Sequence, residues 1–248
     1  MEREARDRMY VPFEPVTIVV PTFNERDNIA PLAERIFAAL DPASVELLVV
    51  DDASPDGTAD AARALAPLRP VRVVVRRHER GLSSAVLGGV AESRTPLIVV
   101  MDADLSHPPE ALPALIEPLR DARVDAVVGS RFVPGGRVDL HWPLHRRLNS
   151  LAGRVLARPL TRVRDMMSGY FAFRRAAVDA AALRPVGYKI LLELVVRCRW
   201  RNVVEIPITF ADRAAGVTKL SVAEQLRYLR HLARLYPVAI RAALRGSP

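Results

Sequence analysis

Short runs of β-branched and other apolar residues alternate with helix-like stretches along the first half of the chain. The apolar runs are Val16–Val20, Val45–Val50, Val71–Val75, Leu97–Met101 and Ala126–Val128, and the helical patterns are Asn28–Leu40, Thr58–Leu65, Leu82–Ala91 and Pro109–Leu119. Strands that alternate with helices in this way form a mostly parallel sheet, because each helix returns the chain to the start of the next strand. The sequence therefore predicts an α/β fold with helices on both faces of the sheet.

The size and charge of the chain limit what it can be. Its 248 residues, 50% of them hydrophobic, are enough for one sizeable α/β core. The formal net charge of +8 predicts an anionic partner, such as nucleic acid, lipid headgroups or a phosphorylated substrate. Nearly all the cations are arginines, since only Lys189 and Lys219 are lysines. The single cysteine, Cys198, excludes an internal disulfide and is typical of a reducing compartment.

The pattern of apolar residues bears on membrane contact. The first ten residues are charged and lack the apolar stretch of a secretory signal, so we expect a cytoplasmic protein. Nowhere do about 18 apolar residues follow one another, so we expect any membrane contact to be peripheral. Leu144–Leu156 and Ser221–Tyr236 are amphipathic and rich in arginine. Such helices either pack on their own domain with solvated charges or lie on an anionic membrane, and both alternatives stay open.

Two carboxylates follow the fourth apolar run directly. Leu97–Met101 ends at the triplet Asp102-Ala103-Asp104, and the carboxyl ends of strands are where open α/β sheets bind ligands. If the backbone stays extended through Ala103, both side chains point the same way and repel each other unless a cation lies between them. Oxygen ligands of this kind suit Mg²⁺ or Mn²⁺. The alternative is that Asp104 or Ser106 caps the helix that follows.

The first two predicted strands also end in polar clusters. Val16–Val20 leads into Pro21-Thr22-Phe23-Asn24-Glu25, and Val45–Val50 leads into the stretch from Asp51 to Thr58. We therefore expect three neighbouring strand ends to meet at one acidic, oxygen-rich crevice. Turn chemistry accounts for the residues from Ser54 to Thr58, but it does not account for two consecutive carboxylates before the turn.

Blocks of residues follow one another in a recognisable order between residues 16 and 236. They are Val20-Pro21-Thr22-Phe23-Asn24-Glu25-Arg26, the cluster from Asp51 to Thr58, Gly81-Leu82-Ser83-Ser84-Ala85, the stretch from Met101 to Glu110, Gly129-Ser130-Arg131-Phe132, Trp142 with Arg146 and Ser150, Asp165 with Ser168-Gly169, the stretch from Gly187 to Glu193, and Asp212-Arg213 with Thr218-Lys219-Leu220. In this order the blocks resemble the family 2 glycosyltransferases, specifically the dolichyl-phosphate or polyprenyl-phosphate mannosyltransferases.

The resemblance implies a fold and a division of the chain. The fold is the glycosyltransferase A-type, a Rossmann-like α/β domain with a mostly parallel sheet, here followed by a C-terminal basic amphipathic helix. We expect an N-terminal tail at residues 1–15 and a nucleotide-sugar-dependent transferase domain at residues 16–215. A basic amphipathic interface helix lies within that domain at residues 143–160, and an amphipathic membrane-surface helix and tail occupy residues 216–248.

The resemblance also implies roles for individual residues. The nucleotide sugar would be bound by Pro21, Phe23, Glu25, Val50, Asp52, Asp102, Ala103 and Asp104. Asp102 and Asp104 would hold Mg²⁺ or Mn²⁺ on the donor diphosphate, and Ser106 would be a further metal ligand where some relatives have the longer Gln. The acceptor phosphate would be bound by Arg131, Arg146, Ser150, Arg213 and Lys219. Four of these residues are expected to be catalytic, namely Asp102, Asp104, Arg131 and Arg213.

The charge of the acceptor decides what the site needs. A phosphate monoester has a second pKa near about 6, so at neutral pH it is already ionised and requires cations rather than a base. With this acceptor, the resemblance implies an inverting, metal-dependent transfer of one mannose from GDP-mannose to a polyprenyl phosphate. The protein would lie peripherally on the cytoplasmic face of an anionic membrane, an arrangement that allows a separate membrane-protein partner. Nucleic acid is not expected, because the acidic clusters would repel it.

Three other functions remain open on the sequence. A UDP-sugar could supply glucose or an N-acetylhexosamine, because the pocket residues do not reveal which base they accept. A hydroxyl acceptor would need a base, for which Asp165 is the candidate, although Asp165 could equally orient the loop at Ser168-Gly169. A noncatalytic anion-binding module could also keep this fold. Finally, Glu193 lies in an apolar run and either pairs with a buried cation or belongs to the site.

Overall fold

The computed structural model describes residues 14–138, 144–210 and 222–244 of the chain. Within them the strands are β1 (Val16–Thr22), β2 (Val45–Asp51), β3 (Val71–Val75), β4 (Leu97–Val100), β5 (Ala126–Ser130), β6 (Arg137–Val138), β7 (Phe171–Arg174), β8 (Val203–Pro207) and β9 (Thr209–Phe210). The α-helices are α1 (Arg26–Ala39), α2 (Thr58–Arg63), α3 (Leu82–Glu92), α4 (Leu112–Ile116), α5 (Leu144–Ala157), α6 (Ile190–Arg197) and α7 (Val222–Leu244).

Seven of the described strands form one sheet, in the order β3-β2-β1-β4-β7-β5-β8. β1 pairs in parallel with both β2 and β4, and β5 pairs in parallel with β8. β7 runs antiparallel to its two neighbours, β4 and β5. β6 and β9 form a separate two-stranded pair. The predicted mostly parallel sheet is confirmed, while β7 and β8 are strands that the sequence patterns did not identify.

Hydrophobic layers cover both faces of the sheet. On one face, Ile18 of β1 shares a cluster with Ile36 of α1 and other residues of α1 and α4. On the other face, Val19 of β1 shares a cluster with Val86 of α3 and Leu194 of α6. Successive residues of a strand point to opposite faces, which is why the neighbours Ile18 and Val19 lie in different layers. The predicted placement of helices on both faces is therefore confirmed.

The stretch from Pro109 to Leu119 was expected to be one helix, and this expectation is wrong. The structure has a 3₁₀ turn at Pro109–Ala111, then α4 at Leu112–Ile116, then a second 3₁₀ turn at Glu117–Arg120. Proline has no N–H group to donate to the preceding turn and its ring crowds that turn. Pro113 and Pro118 therefore stand at the start of the two later segments, where a missing N–H is tolerated.

The two arginine-rich helices, α5 and α7, pack against each other. The Tyr228 hydroxyl donates to the Gly153 carbonyl at 2.7 Å, and the Tyr236 hydroxyl donates to the Leu156 carbonyl at 2.6 Å. The expected C-terminal helix is thus present, and it continues beyond the expected end at Tyr236, past Pro237 to Leu244. In residues 14–138, 144–210 and 222–244, none of the helices has both the length and the apolar character that crossing a bilayer requires.

Candidate active site

The carboxyl ends of β1, β2 and β4 meet at one edge of the sheet. These strands are adjacent in the order β2-β1-β4 and run in parallel, so their last residues lie side by side. Phe23 follows β1, Asp52 follows β2, and Asp102 follows β4 after one further residue, Met101. The expected convergence of three strand ends is therefore confirmed by the sheet order.

Each of these strand ends carries a residue in the left-handed backbone region. Asn24 has a φ of 60°, Ala53 of 53° and Leu105 of 61°. A side chain makes this conformation unfavourable, and such residues persist only where the surrounding structure holds them. Three of the four described non-glycine residues with positive φ lie at these neighbouring strand ends, and the fourth, Arg199 with a φ of 55°, follows α6. Their clustering agrees with a functional site at this edge.

Asp51 holds the turn that follows β2. Its side chain is fully buried and accepts hydrogen bonds from the Thr22 hydroxyl at 3.0 Å and from the Ser54 backbone N–H at 2.8 Å. The Ser54 hydroxyl donates to the same carboxylate at 2.5 Å. The first of the two consecutive carboxylates therefore has a structural role, because it fixes the β2 turn against the end of β1.

Asp52 joins the end of β3 to the start of α3. Its carboxylate accepts from Arg76 Nε at 2.8 Å and from the Gly81 backbone N–H at 2.7 Å. Arg76 also donates to the Ser84 hydroxyl at 3.0 Å. The Asp52 side chain is only 8% exposed. Asp52 is thus held by protein groups on two sides, and its contact with a nucleoside stays a prediction.

The other predicted nucleoside residues differ widely in exposure. Phe23 is 41% exposed, and the Arg80 guanidinium lies 5.1 Å from its ring centroid. Glu25 accepts a hydrogen bond from the Asn28 side chain at 2.7 Å. Pro21 and Val50 are buried within β1 and β2. Among these residues Phe23 has the ring surface on which a base could stack, whereas Pro21 and Val50 would meet a ligand mainly through their backbone.

Asp102 and Asp104 lie on a bend at the end of β4. The strand ends at Val100 and the chain bends from Ala103 onwards, so the extended backbone considered from the sequence does not persist through Ala103. The Asp102 side chain is 27% exposed, while Asp104 as a residue is 7% exposed. The Ser106 hydroxyl donates to Asp104 Oδ1 at 2.5 Å, and the Ser106 backbone N–H donates to the same atom at 3.1 Å. Ser106 therefore orients the Asp104 carboxylate, and its direct ligation of a metal stays a prediction.

His107 stabilises this bend. The Asp102 backbone N–H donates to His107 Nδ1 at 3.2 Å, and the imidazole stacks on Tyr170 with 5.2 Å between ring centroids. Burial lowers the pKa of His107, although the nearby charges of Asp102 and Asp104 act in the opposite direction. A neutral imidazole with an accepting Nδ1 is the form that this hydrogen bond requires.

The loop that contains Gly169 closes over Asp102. A Cβ atom at residue 169 would lie 3.0 Å from Asp102 Oδ2, 3.2 Å from Asp102 Oδ1 and 3.2 Å from His107 Cε1. Ser168 anchors this loop, because its hydroxyl donates to the Gly129 carbonyl at 2.8 Å. Glycine at residue 169 therefore lets the backbone approach the carboxylate closely without displacing it.

Arg131 is held by a buried carboxylate four residues before Gly169. Arg131 Nε donates to Asp165 Oδ2 at 2.7 Å and Arg131 Nη2 donates to Asp165 Oδ1 at 2.8 Å. The Arg131 backbone N–H also donates to Oδ2, at 3.0 Å. Asp165 is 0% exposed, and the Arg131 guanidinium lies 5.1 Å from the centroid of the Phe210 ring. This bidentate pairing fits the orienting role of Asp165, and both of its oxygens are engaged by a cation, which disfavours a general base.

Lys189 is a cation at this site to which the sequence assigned no role. Its amine lies 4.1 Å from the Tyr188 ring centroid, just before α6. Burial, together with the charge of Arg131, lowers the pKa of Lys189 to about 7, while Asp165 and Asp102 act in the opposite direction. Lys189 therefore interacts electrostatically with the carboxylate of Asp102 and with the guanidinium of Arg131. The sequence feature that could have pointed to Lys189 is that it is one of only two lysines in the chain.

The remaining predicted acceptor residues are only partly described. Ser150 is half-buried in α5, and Arg146 lies one turn before it in the same helix. Arg213 and Lys219 lie outside the described residues. Glu193 belongs to a different cluster, where it pairs with Arg197 at 2.7 Å and with His231 at 2.7 Å. Of the two alternatives for Glu193, the structure therefore supports pairing with a cation, which is Arg197.

The residues at the end of β4 fit a hard divalent cation. Two carboxylates supply oxygen ligands, and the Asp102 side chain is 27% exposed, so a cation could reach it. In the part of the chain that the structure describes, no group of three or more His, Cys, Asp or Glu residues is arranged as a metal site. A cation held here would use two protein carboxylates and take further ligands from water and substrate phosphates, which is common for Mg²⁺.

Comparison with known proteins gives matches over most of the chain. The family described as "Glycosyl transferase family 2" matches residues 17–181. A dolichol-phosphate mannosyltransferase of Pyrococcus furiosus is 43% identical over 224 residues, which cover 89% of this chain and 63% of that protein. The chain therefore spans less than two thirds of the archaeal relative. A dolichol-phosphate mannosyltransferase of Saccharomyces cerevisiae is 40% identical over 232 residues, covering 89% of this chain and 86% of that protein.

A solved structure shares the fold. Glucosyl-3-phosphoglycerate synthase from Mycobacterium tuberculosis, in complex with Mn²⁺, UDP-glucose and phosphoglyceric acid, superposes with a TM-score of 0.68. The superposition covers 91% of this chain and 80% of that chain at 20% sequence identity. At this identity the likeness concerns the fold alone.

Proposed function

The chain belongs to glycosyl transferase family 2, and from this premise we propose that it transfers one mannose from GDP-mannose to a polyprenyl phosphate, with inversion at the anomeric carbon. The observation that carries the proposal is the loop from Asp165 to Gly169. One end of this loop holds the Arg131 guanidinium, and the other end lies against the Asp102 carboxylate. The site thus has an acidic half and a cationic half joined by five residues. The two mannosyltransferase relatives support the choice of sugar and acceptor.

The acidic half binds the donor. Asp102 and Asp104 would hold Mg²⁺ or Mn²⁺, and the metal would supply positive charge to neutralise the diphosphate leaving group. Ser106 orients Asp104 by two hydrogen bonds. Phe23 offers its exposed ring to the base, and Glu25 and Asp52 accept hydrogen bonds from the nucleoside.

The cationic half binds the acceptor. Arg131 contacts the phosphate of the polyprenyl phosphate, together with Arg146, Ser150, Arg213 and Lys219. One phosphate oxygen attacks the anomeric carbon from the face opposite the leaving group, and GDP departs with the electrons of the bond that breaks. Because the phosphate is already ionised, no base has to remove a proton. This agrees with an Asp165 carboxylate whose two oxygens are both engaged by Arg131.

The protein works at the cytoplasmic face of a membrane, to which α5 and α7 attach it peripherally. Exposed apolar side chains on both helices support this placement, and they are Leu151, Val155, Leu156, Leu226, Leu229, Ile240 and Leu244. The exposed arginines of α7 would meet anionic headgroups. A separate membrane protein could share this surface.

The test is a transfer assay with a panel of donors. The protein is incubated with Mn²⁺, GDP- and UDP-sugars and a short polyprenyl phosphate, and glycosylated lipid is detected by mass spectrometry. We expect mannosyl-phosphoryl-lipid from GDP-mannose and no dependence on a hydroxyl acceptor. If UDP-sugars gave product and GDP-mannose did not, the donor assignment would be wrong. If no donor gave product, the result would support a noncatalytic anion-binding module.

The variant Asp104→Asn tests the metal assignment in the same assay. Turnover should fall by roughly 100-fold or more, because the loss of a charged ligand removes several kcal/mol of stabilisation from the transition state. The matched control is Asp60→Asn on α2, where the carboxylate is 82% exposed and pairs with a surface arginine, Arg63. Turnover in Asp104→Asn equal to that of the control would refute the assignment.

A further inference from the structure

Arg154 of α5 lies beside the ring of Phe132. Its guanidinium carbon lies 3.7 Å from the centroid of the Phe132 ring. Arg154 Nε is buried and has no hydrogen-bond partner. Within the described residues, no carboxylate pairs with this side chain. Arg154 as a residue is half-buried, so the rest of its guanidinium can meet a ligand, and an anion that accepts its hydrogen bonds would stabilise it further than the ring contact does.

Arg154 lies close to the cationic half of the site. Phe132 follows Arg131 in the chain, and the Arg131 guanidinium carbon is 5.4 Å from the same ring centroid. Two guanidinium groups therefore flank one aromatic ring. Asp165 compensates the charge of Arg131 through its bidentate pairing, whereas in the described part of the chain no carboxylate does so for Arg154. An anion bound between these two groups would remove the repulsion between them.

The position of Arg154 along α5 also indicates that it belongs to the proposed acceptor site. Arg146, Ser150 and Arg154 are spaced four residues apart, and residues four apart lie on one face of a helix. Arg146 and Ser150 belong to the proposed acceptor site, so Arg154 extends that line of residues by one turn. Gly153 brings this turn close to the loop of Asp165, because a Cβ atom there would lie 2.3 Å from Met167 Cε.

We propose that Arg154 binds the phosphate of the acceptor together with Arg131, so that α5 and the Arg131-Asp165 pair grip one phosphate monoester from two sides. This inference rests on the proposed polyprenyl-phosphate acceptor and adds a residue to its site. Guanidinium groups suit the task, because their N–H groups match the oxygens of a phosphate. The alternative is that Arg154 only packs on Phe132.

The test compares Michaelis constants for the two substrates. Wild type, Arg154→Gln and Arg154→Lys are assayed with GDP-mannose, Mn²⁺ and a short-chain polyprenyl phosphate in detergent. In Arg154→Gln the acceptor KM should rise by roughly tenfold or more, as expected for the loss of a hydrogen bond between charged groups, while the donor KM stays within about twofold. Arg154→Lys should recover part of the loss, because it retains the charge.

Two controls separate this role from others. Arg94→Gln removes the same charge at an exposed residue. Arg94 precedes the amino end of β4, whereas the site lies at the carboxyl end, so both KM values should stay unchanged. Co-sedimentation with anionic phosphatidylserine vesicles shows whether Arg154 binds general lipid headgroups instead. We expect Arg154→Gln to sediment like wild type, and a loss of vesicle binding with an unchanged acceptor KM would overturn the proposal.

The outcomes distinguish this inference from the proposed function. If the wild type transfers no sugar to a polyprenyl phosphate, the proposed function fails. If the wild type is active and Arg154→Gln has the wild-type acceptor KM, the role of Arg154 fails alone. Should Arg154→Gln not fold, Arg154→Met keeps the aliphatic stem and removes the charge, and the same rise in acceptor KM is expected. A fall in kcat with unchanged KM values would indicate packing only and would also overturn the proposal.

Discussion

At Gly169 the backbone of one loop lies in contact with a carboxylate of another. The Asp102 oxygens would be 3.0 and 3.2 Å from a Cβ atom at this residue. These distances are tighter than ordinary van der Waals contact, and the atoms that would have to move belong to the proposed metal ligand Asp102. Glycine is therefore needed here because of the close approach, and the position of Asp102 depends on it.

We predict that Gly169→Ala impairs catalysis more than folding. The added methyl group should displace the Asp102 carboxylate by a few tenths of an ångström, and kcat/KM should fall by roughly tenfold because catalysis depends steeply on the position of reacting groups. Transfer kinetics measure the first effect and thermal unfolding the second. Calorimetry of sugar-nucleotide binding with and without Mn²⁺ would show whether the metal-dependent part of the affinity is what weakens.

Gly88→Ala is the matched control for this prediction. It lies in α3, where a Cβ atom would meet Arg76 Cδ at 3.5 Å, an ordinary contact. Alanine is also the better helix former, so stability should stay the same or rise. If Gly169→Ala kept wild-type kcat/KM, the close approach at Asp102 would have no functional consequence.

At the scale of elements, a buried polar cluster joins α6 to α7. Glu193 of α6 accepts from the Arg184 backbone N–H at 2.6 Å and contacts His231 of α7 at 2.7 Å. Arg197 lies 2.7 Å from its other side. Glu193 and His231 are at most 1% exposed. The arginine-rich helix α7 is therefore attached to the catalytic domain by a charged contact as well as by apolar packing.

We predict that this contact depends on pH. Burial alone would raise the pKa of Glu193, but hydrogen bonds from His231 and the Arg184 backbone, with the charge of Arg197, lower it below the ordinary value of 4.5. The unfolded chain then binds more protons than the folded one in acid, so the stabilisation is complete above about pH 4.5 and is lost as the pH falls through the lowered pKa. At pH 7, Glu193→Gln should lower the free energy of unfolding by about 3–5 kcal/mol, because it leaves the Arg197 guanidinium without its carboxylate partner.

Urea unfolding at pH 7 and at pH 4 measures the difference between wild type and Glu193→Gln. That difference should shrink at the lower pH. Glu117→Gln is the control, because Glu117 pairs with Arg120 at the surface and should contribute at most about 1 kcal/mol. A Glu193→Gln difference that grows on acidification would contradict the pKa direction.

At the scale of the whole molecule, α5 and α7 form one surface. The tyrosines of α7 that donate hydrogen bonds to α5 carbonyls hold the two helices together, so their exposed apolar residues belong to neighbouring helices. Val155 of α5 is 61% exposed and Leu226 of α7 is 61% exposed. Exposed apolar side chains beside arginines are typical of a helix that lies in the headgroup region of a membrane.

We predict that the protein binds anionic vesicles through this surface. Co-sedimentation should be stronger with phosphatidylserine than with neutral phosphatidylcholine, and it should weaken as salt is added, because each arginine near the surface contributes about 1 kcal/mol. The double variant Leu226→Gln with Leu229→Gln should bind at least about tenfold more weakly than wild type, since full burial of each leucine is worth roughly 1.5–3 kcal/mol.

Leu68→Gln is the control, because Leu68 is 81% exposed but lies outside both helices, after α2. It should bind vesicles like wild type. Equal binding to neutral and anionic vesicles would remove the electrostatic part of the prediction. Equal binding by the double variant and Leu68→Gln would remove the apolar part.

The candidate site could be predicted only in part. Asp102, Asp104 and the polar ends of β1 and β2 were recognisable, because a parallel sheet brings consecutive strand ends to one edge. The orienting role of Asp165 was one of two alternatives, and the pairing with Arg131, 34 residues away, decided between them. Lys189 and Arg154 had no assigned role, since nothing in the local sequence reveals which groups lie beside a cation.

The sequence by itself determined the α/β class, the family, the first five strands and the two basic helices. These features depend on local periodicity and on motifs of consecutive residues, which a chain carries before it folds. Only the tertiary structure decided that β7 enters the sheet antiparallel between β4 and β5, and which cation each buried carboxylate pairs with. The reason is that such contacts join residues far apart in the chain, and their partners depend on how loops close around the core rather than on any repeat in the sequence.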